Sequence, residues 1–142
     1  MKNSEGIEQK LLERIKLCKL SPPQRRSLPF ECYWEDSVFI QEQKLIFANQ
    51  WLGLGRADRL ELPGEYEVFE LCGQTLLLIR DQDKILRLYA NTCRHRGTKL
   101  LDGTGQCQAI SCPFHGWTYA LDGNLKYAKT MSENPNFDFS EH

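Results

Sequence analysis

The sequence has no excess of charge of either sign. Its 18 lysine and arginine residues are balanced by 19 aspartate and glutamate residues, which gives a net charge of −1. A protein that binds nucleic acid or an anionic membrane surface carries a marked basic excess, so we expect neither partner. Long apolar runs are also missing: none approaches the length of a membrane span, and the first residues lack the apolar stretch of a signal peptide. These absences predict a cytoplasmic or organelle-stromal protein without a membrane segment.

Histidine is scarce, and cysteine is unpatterned over most of the chain. There are 3 histidines and 6 cysteines in 142 residues, a length that suits one domain with a core of its own. The cysteines outside the central region show neither a disulfide framework nor a zinc-ribbon spacing, and they are Cys18, Cys32, Cys72 and Cys107. We therefore expect them to be reduced, small apolar side chains. Repeats and low-complexity tracts are absent as well.

Two pairs of potential metal ligands stand out against this background. Cys93 and His95 are two positions apart, and Cys112 and His115 are three positions apart, so the pattern is C-x-H-x16-C-x2-H. A Cys₂His₂ zinc finger groups like ligands on one element, whereas here each half carries one thiol and one imidazole. Two facing loops of this kind can give both sulfurs to one iron and both imidazoles to the other, as in a Rieske [2Fe–2S] centre.

Residues beside the four ligands support the iron–sulfur interpretation. Gly97 and Gly116 allow tight backbone turns and a close approach of N–H groups to cluster sulfurs, and Pro113 stiffens the second loop. Either cysteine–histidine pair alone would be a weak signal. Both pairs at this separation, each followed by a glycine within two residues, favour iron–sulfur ligation over the alternatives, which are a zinc site or simply buried side chains.

The same residues resemble those of a known family, the N-terminal Rieske domains of ring-hydroxylating oxygenase α subunits, including the related quaternary-amine oxygenases. The resemblance covers about residues 29–130, and the segments that carry it are Cys93-Arg-His-Arg-Gly97, Cys112-Pro-Phe-His-Gly-Trp-Thr-Tyr119 and Leu121-Asp-Gly123, preceded by Ile46-Phe47, Trp51 and Gly55-Arg56. The arginine after the first histidine, Arg96, is more specific to this family than the ligands alone.

This resemblance implies a cluster of low reduction potential. The respiratory Rieske class carries a cysteine in each ligand loop, and those cysteines pair as a disulfide. Here Thr98 and Phe114 stand at those positions, and Trp117 replaces a serine that donates a hydrogen bond to a sulfide in that class. Fewer donors stabilise the reduced cluster less, so we expect a midpoint near the lower end of the Rieske range, roughly −150 mV.

The sequence after residue 52 predicts strands. Short apolar segments alternate there with turns such as Cys72-Gly73 and Asp122-Gly123-Asn124, whereas the first 50 residues carry helical spacing. We therefore predict a mainly β fold, a small antiparallel Rieske-type β barrel or sandwich with N-terminal helices. The expected organisation is N-terminal helices and an extended arm at 1–50, the Rieske [2Fe–2S] domain at 51–132, and a tail at 133–142 that leads to a missing catalytic domain.

The family resemblance implies an electron relay, not a complete oxygenase. Oxygen chemistry in this family needs a mononuclear Fe(II) held by two histidines and a carboxylate. With His95 and His115 assigned to the cluster, His142 alone remains, so that iron must lie in the missing domain. The implied partners are a ferredoxin or reductase that donates electrons, and the catalytic domain of the same or a neighbouring subunit, in a trimer when the protein is full length.

The resemblance also assigns roles around the cluster. His115 is the expected electron exit towards the mononuclear iron, and His95 shares the outer edge of the cluster. The residues expected to dock an acidic redox partner are the basic Arg94, Arg96 and Lys99. The residues expected to form the cluster environment are Gly97, Pro113, Gly116 and Trp117. A freestanding Rieske-type ferredoxin and a zinc-stabilised interaction module remain as alternative functions.

Overall fold

The computed structural model describes residues 4–129, 131 and 133–141 of the chain. The chain forms two compact units, Met1–Gly53 and Leu54–His142. Among the described residues, no helix combines the length and the apolar character needed to cross a bilayer.

The first unit is helical, as its sequence predicts. Helix α1 spans Ser4–Lys16 and continues into a 3₁₀ turn at Leu17–Lys19, and helix α2 spans Asp36–Leu45 and precedes a 3₁₀ turn at Phe47–Asn49. Another 3₁₀ turn, Phe30–Tyr33, lies between the two helices in the chain. The Arg14 guanidinium of α1 donates to the Glu31 carboxylate at 2.6 Å, which joins α1 to that turn.

The first sheet of the second unit is built on a hairpin. Strands β1 (Glu65–Leu71) and β2 (Gln74–Arg80) are joined by Cys72-Gly73, whose φ angles are 52° and 73°. Positive φ at both central residues is typical of a type I′ hairpin turn, whose twist matches that of the strands. Strands β3 (Leu86–Ala90) and β4 (Thr104–Gln106) complete an antiparallel sheet in the order β3-β2-β1-β4.

The second sheet consists of β5 (Ile110–Ser111), β6 (Thr118–Tyr119) and β7 (Leu125–Tyr127), antiparallel in the order β5-β6-β7. The β6–β7 connection contains the predicted turn, in which the Asn124 N–H donates to the Asp122 carboxylate at 3.0 Å. The mainly antiparallel β fold with N-terminal helices is therefore confirmed. The described strands form two separate sheets and not a closed barrel, because no ladder joins β3 or β4 to the second sheet.

Apolar side chains of both sheets and of the loops between them share one core. Leu77 and Ile79 of β2 are completely buried, with 0% of their surface exposed. The other buried members of this cluster are Cys93, Ile110, Cys112, Trp117, Tyr119, Leu121, Leu125 and Ala128. The two cysteines predicted as metal ligands thus belong to the hydrophobic core.

A buried amide fastens the loop after β3 to the first sheet. Asn91 is 1% exposed. Its side-chain N–H donates to the Leu101 C=O at 2.7 Å, and the Leu101 N–H donates to its side-chain oxygen at 3.0 Å. Its backbone N–H donates to the Thr75 C=O of β2 at 2.9 Å. Asn91 therefore holds both ends of the segment 92–100 against the first sheet.

Replacing Ile79 with alanine should lower the free energy of unfolding by about 2–5 kcal/mol, because the fully buried side chain leaves a cavity. Ile85→Ala removes the same atoms from a side chain that is 49% exposed and should cost less than about 1 kcal/mol. Chemical denaturation followed by circular dichroism measures both values. Equal losses in the two variants would contradict the assignment of Ile79 to the core.

Candidate metal centre

The first ligand loop, residues 93–98, is a tight turn closed by backbone hydrogen bonds. The Cys93 N–H donates to the Thr98 C=O at 2.8 Å, and the Gly97 N–H donates to the Cys93 C=O at 2.9 Å. Gly97 has φ +72°, a left-handed conformation that residues with a side chain adopt only at a cost. The Asn91 contacts hold the surrounding segment 92–100 at both ends, so the backbone of this loop is held against the first sheet.

The second ligand loop, residues 112–117, has the same closure and lies between β5 and β6. The Cys112 N–H donates to the Trp117 C=O at 2.8 Å, and the Gly116 N–H donates to the Cys112 C=O at 3.0 Å. Gly116 has φ +70°, close to the value in the first loop. In each loop the glycine is the fourth residue after the cysteine, so the two loops are equivalent turns.

These turns bring the four predicted ligands together as two pairs. Cys93 and Cys112 are 2% and 3% exposed, and their side chains are in hydrogen-bonding contact with each other. The His95 and His115 rings meet edge to face, with centroids 4.7 Å apart. Within the described part of the chain, no three ligand side chains surround a single point. Separate thiol and imidazole pairs suit two metal ions with two protein ligands each.

The His95 ring shows whether the residues at this site fit an iron–sulfur cluster. Its Nδ1 is buried and has no hydrogen-bond partner among the described residues. An unpaired buried nitrogen costs free energy, and binding a metal ion would remove that cost. Burial, and then the positive charges of His115 and Arg96, lower the pKa of His95. The neutral imidazole favoured in this way is the form that binds metal, so the residues present fit the cluster.

Hydrogen bonds favour the thiolate form of Cys112. Burial would raise its pKa, but hydrogen bonds from the backbone N–H groups of Phe114 and His115 act in the opposite direction. The side chains of Cys93 and Thr98 add further hydrogen bonds, and together these contacts lower the pKa of Cys112. The thiolate is the form that binds iron. Thr98, at the position of the respiratory cysteine, thus contributes a hydrogen bond in place of a disulfide.

Tyr119 is a functional residue that the sequence interpretation missed. Its hydroxyl lies 3.4 Å from the Cys93 sulfur and accepts a hydrogen bond from the Arg94 N–H at 3.1 Å. Burial, and then the hydrogen bond to Cys93, raise the pKa of Tyr119 to about 12, so the phenol stays protonated. When Cys93 is a thiolate, as iron binding requires, its sulfur can only accept and the phenol donates to it. The sequence feature that could have identified Tyr119 is its spacing from Trp117. The two are two residues apart, and residues at that spacing in an extended segment face the same side.

The predicted cluster environment receives contributions from the second loop and from the tail. Trp117 is 2% exposed and stacks on His95, with centroids 4.8 Å apart and ring planes at 7°. Phe137 meets Trp117 at a centroid distance of 5.6 Å, and Phe139 meets Phe137 at 5.1 Å. The tail expected at 133–142 therefore packs against the site through aromatic side chains. His142 lies outside the described residues.

The three predicted docking cations differ in their contacts. The Lys99 ammonium is paired with the Asp102 carboxylate at 2.5 Å. The Arg94 guanidinium donates to the Glu141 C=O at 3.3 Å. Arg96 is exposed on the first ligand loop. The two arginines thus present positive charge beside His95, whereas Lys99 is compensated locally.

Both histidines line one cavity of about 390 Å³, which we call the histidine cavity. Its lining residues are His95, Phe114, His115, Gly116, Tyr127 and Lys129. Phe114 is 61% exposed, and its ring centroid lies 3.9 Å from that of His115. Pro113 is also exposed on this loop. The imidazole pair can therefore be approached from the surface, while the thiol pair is enclosed.

A buried thiol pair beside an accessible imidazole pair, held by two equivalent turns of a small β fold, defines an iron–sulfur electron-transfer domain. Residues 50–138 match the family described as "Rieske [2Fe-2S] domain". The chain belongs to this family, and its cofactor is a Rieske [2Fe–2S] cluster.

Similar proteins are oxygenase subunits. The carnitine monooxygenase oxygenase subunit of Escherichia coli (strain K12) is 34% identical over 119 residues, which are 83% of this chain and 32% of that protein. The chloroplastic choline monooxygenase of Amaranthus tricolor is 34% identical over 113 residues, which are 80% of this chain and 25% of that protein. A solved quaternary ammonium Rieske monooxygenase matches with a TM-score of 0.71 at 35% identity, over 80% of this chain and 31% of its own. This chain thus spans about a third or less of these relatives.

Tyr119→Phe should lower the midpoint potential of the cluster, because it removes a donor to the Cys93 sulfur. A hydrogen bond worth about 0.5–1.5 kcal/mol corresponds to roughly 20–65 mV for one electron. Tyr33→Phe makes the same chemical change at a side chain of the first unit that is 69% exposed, and it should move the midpoint by less than about 10 mV. Protein-film voltammetry measures both midpoints. An unchanged midpoint in Tyr119→Phe would show that this hydrogen bond does not tune the cluster.

Proposed function

We propose that Cys93 and Cys112 bind one iron of the Rieske [2Fe–2S] cluster and that His95 and His115 bind the other. The observation that carries this assignment is the pairing of thiol with thiol and imidazole with imidazole on two equivalent turns. The bound cluster supplies a one-electron site. The protein encloses the sulfur side of that site and provides hydrogen-bond donors to it.

We further propose that the domain relays electrons within an oxygenase α subunit. The support is its similarity to oxygenase subunits of which it covers 32% or less. In this proposal the domains are 1–50, 51–132 and 133–142, and the last segment leads to a catalytic domain that holds the mononuclear Fe(II). No finding favours the alternatives of a freestanding ferredoxin or a zinc-stabilised module.

The parent enzyme in this proposal is a quaternary-amine oxygenase. Relatives of this chain are named for carnitine, glycine betaine and choline, which are all quaternary ammonium compounds. The substrate pocket belongs to the catalytic domain, so the assignment of a quaternary-amine substrate is supported by the names of the relatives alone.

His115 is the proposed electron exit. It lines the histidine cavity, and the Phe114 side chain beside it is exposed, so a partner can reach the imidazole. The solved relative is described in terms of inter-subunit electron transfer. We propose an inter-subunit path for this chain too, in which the partner of His115 is the catalytic domain of a neighbouring subunit, within the trimer that the family resemblance implies.

A ferredoxin or reductase is the proposed electron donor. Arg94 and Arg96 flank His95 in the sequence and suit an acidic protein surface. Lys99 belongs to the same predicted docking group. It contributes less to docking than the two arginines because its ammonium is paired with Asp102.

Purified protein made under iron-sufficient, anaerobic conditions should be red-brown, with about two irons and two sulfides per chain. Cys112→Ser should lose the cluster because it removes a buried ligand, whereas Cys72→Ser, a change in the β1–β2 turn, should retain it. Metal analysis and electron paramagnetic resonance measure the content and the ligation. Zinc in place of iron, or a full cluster in Cys112→Ser, would contradict the ligand assignment.

His115→Cys in the full-length oxygenase should keep a cluster that a chemical reductant can reduce, because a thiolate can still bind iron. It should nevertheless slow electron delivery to the mononuclear iron more than His95→Cys does at matched driving force, since it removes the imidazole at the exit. Single-turnover oxidation of the pre-reduced cluster, with substrate and oxygen present, measures this rate. Equal slowing in the two variants would remove the directional role of His115.

A further inference from the structure

A second cavity, of about 400 Å³, is lined by Tyr119 and Arg94, and we call it the cysteine-side cavity. Among the described residues, it shares no lining residue with the histidine cavity. Its apolar walls include Leu77, Leu100 and Ile110. The volume falls within the range of about 300–1,000 Å³ that binding clefts occupy. The candidate metal centre is therefore bordered by two independent clefts.

Tyr119 connects the cysteine-side cavity to the centre. Its side chain lines the cavity, and its hydroxyl lies 3.4 Å from the Cys93 sulfur. Arg94 follows Cys93 in the chain and also lines the cavity, and its N–H donates to the same hydroxyl at 3.1 Å. A group bound in this cavity is thus separated from a proposed cluster ligand by one side chain and one hydrogen bond.

The histidine cavity is poorly suited to receive the electron donor. Both imidazoles line it, so a catalytic domain that takes electrons from His115 would occupy the surface in front of His95 as well. A donor that used this cavity would have to leave before each delivery. A donor at the cysteine-side cavity leaves the imidazole pair free for the acceptor.

The charges at the cysteine-side cavity suit an acidic partner. Arg94 bonds the neutral backbone carbonyl of Glu141 at 3.3 Å, so this contact leaves its positive charge uncompensated. Asp122 also lines the cavity, but it accepts hydrogen bonds from Asn124 at 3.0 and 2.9 Å and lies within electrostatic reach of Lys126. Arg94 is thus the one cation in the described lining of this cavity, and the Asp122 carboxylate is held by Asn124 near the charge of Lys126, so a carboxylate of the partner would bind on the Arg94 side.

We propose that an acidic protein electron donor docks at the cysteine-side cavity, with a carboxylate on Arg94 and a protruding side chain inside the cavity, and that its electron passes through Tyr119 to Cys93. This inference rests on the electron-relay function proposed above. The donor's reduced flavin or iron–sulfur centre loses one electron and the cluster gains it; no bond is made or broken and no proton moves. Donor and acceptor can then be bound at the same time, on different cavities.

The test uses the cluster-loaded, full-length oxygenase without substrate, and a reduced plant-type [2Fe–2S] ferredoxin as the acidic protein donor. Stopped-flow absorbance measures the second-order rate constant for reduction of the cluster at low salt. Arg94→Glu, and Thr92→Trp, which fills the cavity, should each lower this constant about tenfold. The rate constant of the unmodified protein should fall as salt is added, and this dependence should weaken in Arg94→Glu. Reduction by dithionite, a small reductant, should change by less than about twofold in both variants.

Lys129→Glu is the matched comparison, because it makes the same change of charge at the histidine cavity. If Lys129→Glu slows ferredoxin more than Arg94→Glu does, the donor uses the histidine cavity and the proposal is wrong. It is equally overturned if neither cysteine-side variant slows ferredoxin, or if the rate for the unmodified protein does not depend on salt. A protein that binds no cluster would instead overturn the proposed function, which iron analysis detects separately.

Discussion

The burial of two thiols in one core is the constraint on which the rest of the site depends. Cys93 and Cys112 lie among the buried side chains of both sheets, and each begins a turn that a glycine N–H closes. Because the turns are equivalent, the sulfurs meet inside the core while the less buried imidazoles meet beside them. The histidine is the second residue after its cysteine in one turn and the third in the other, so the two rings come from different positions of the same backbone shape.

The same core supplies the electrostatic environment of the sulfurs. Thr98 and the backbone after Cys112 contribute hydrogen bonds to that thiol, and Tyr119 donates to Cys93. Such donors stabilise the added electron, so they raise the reduction potential. The expected low potential was based on Thr98 and Phe114 replacing the disulfide cysteines and on the loss of a serine donor at Trp117, and the Tyr119 hydroxyl acts against the loss of that donor. The low reduction potential of the cluster therefore stays a prediction, because it depends on the balance between the effects of these residues.

Features that depend on neighbouring residues could be predicted from the sequence. The Cys72-Gly73 hairpin and the two cysteine–histidine pairs are each specified by a few consecutive residues, and the helices by a short periodic pattern. Features that depend on distant residues could not: Tyr119 reaches Cys93 across 26 positions. The sequence left open whether the strands form a barrel or a sandwich for the same reason, because this depends on whether edge strands meet. The packing of Phe137 on Trp117 likewise joins a polar-looking tail to the core.

The aromatic contacts of the tail join Phe137 and Phe139 to the candidate metal centre. Phe139, Phe137 and Trp117 form an unbroken column of rings that ends on the His95 imidazole. Phe137 therefore contacts the Trp117 ring that stacks on a proposed iron ligand, and Phe139 contacts Phe137. Truncation at the last strand, β7, would remove two rings of this column and open one side of Trp117 to water. Two residues of the segment proposed to lead to the catalytic domain thus belong to the aromatic surroundings of the candidate metal centre.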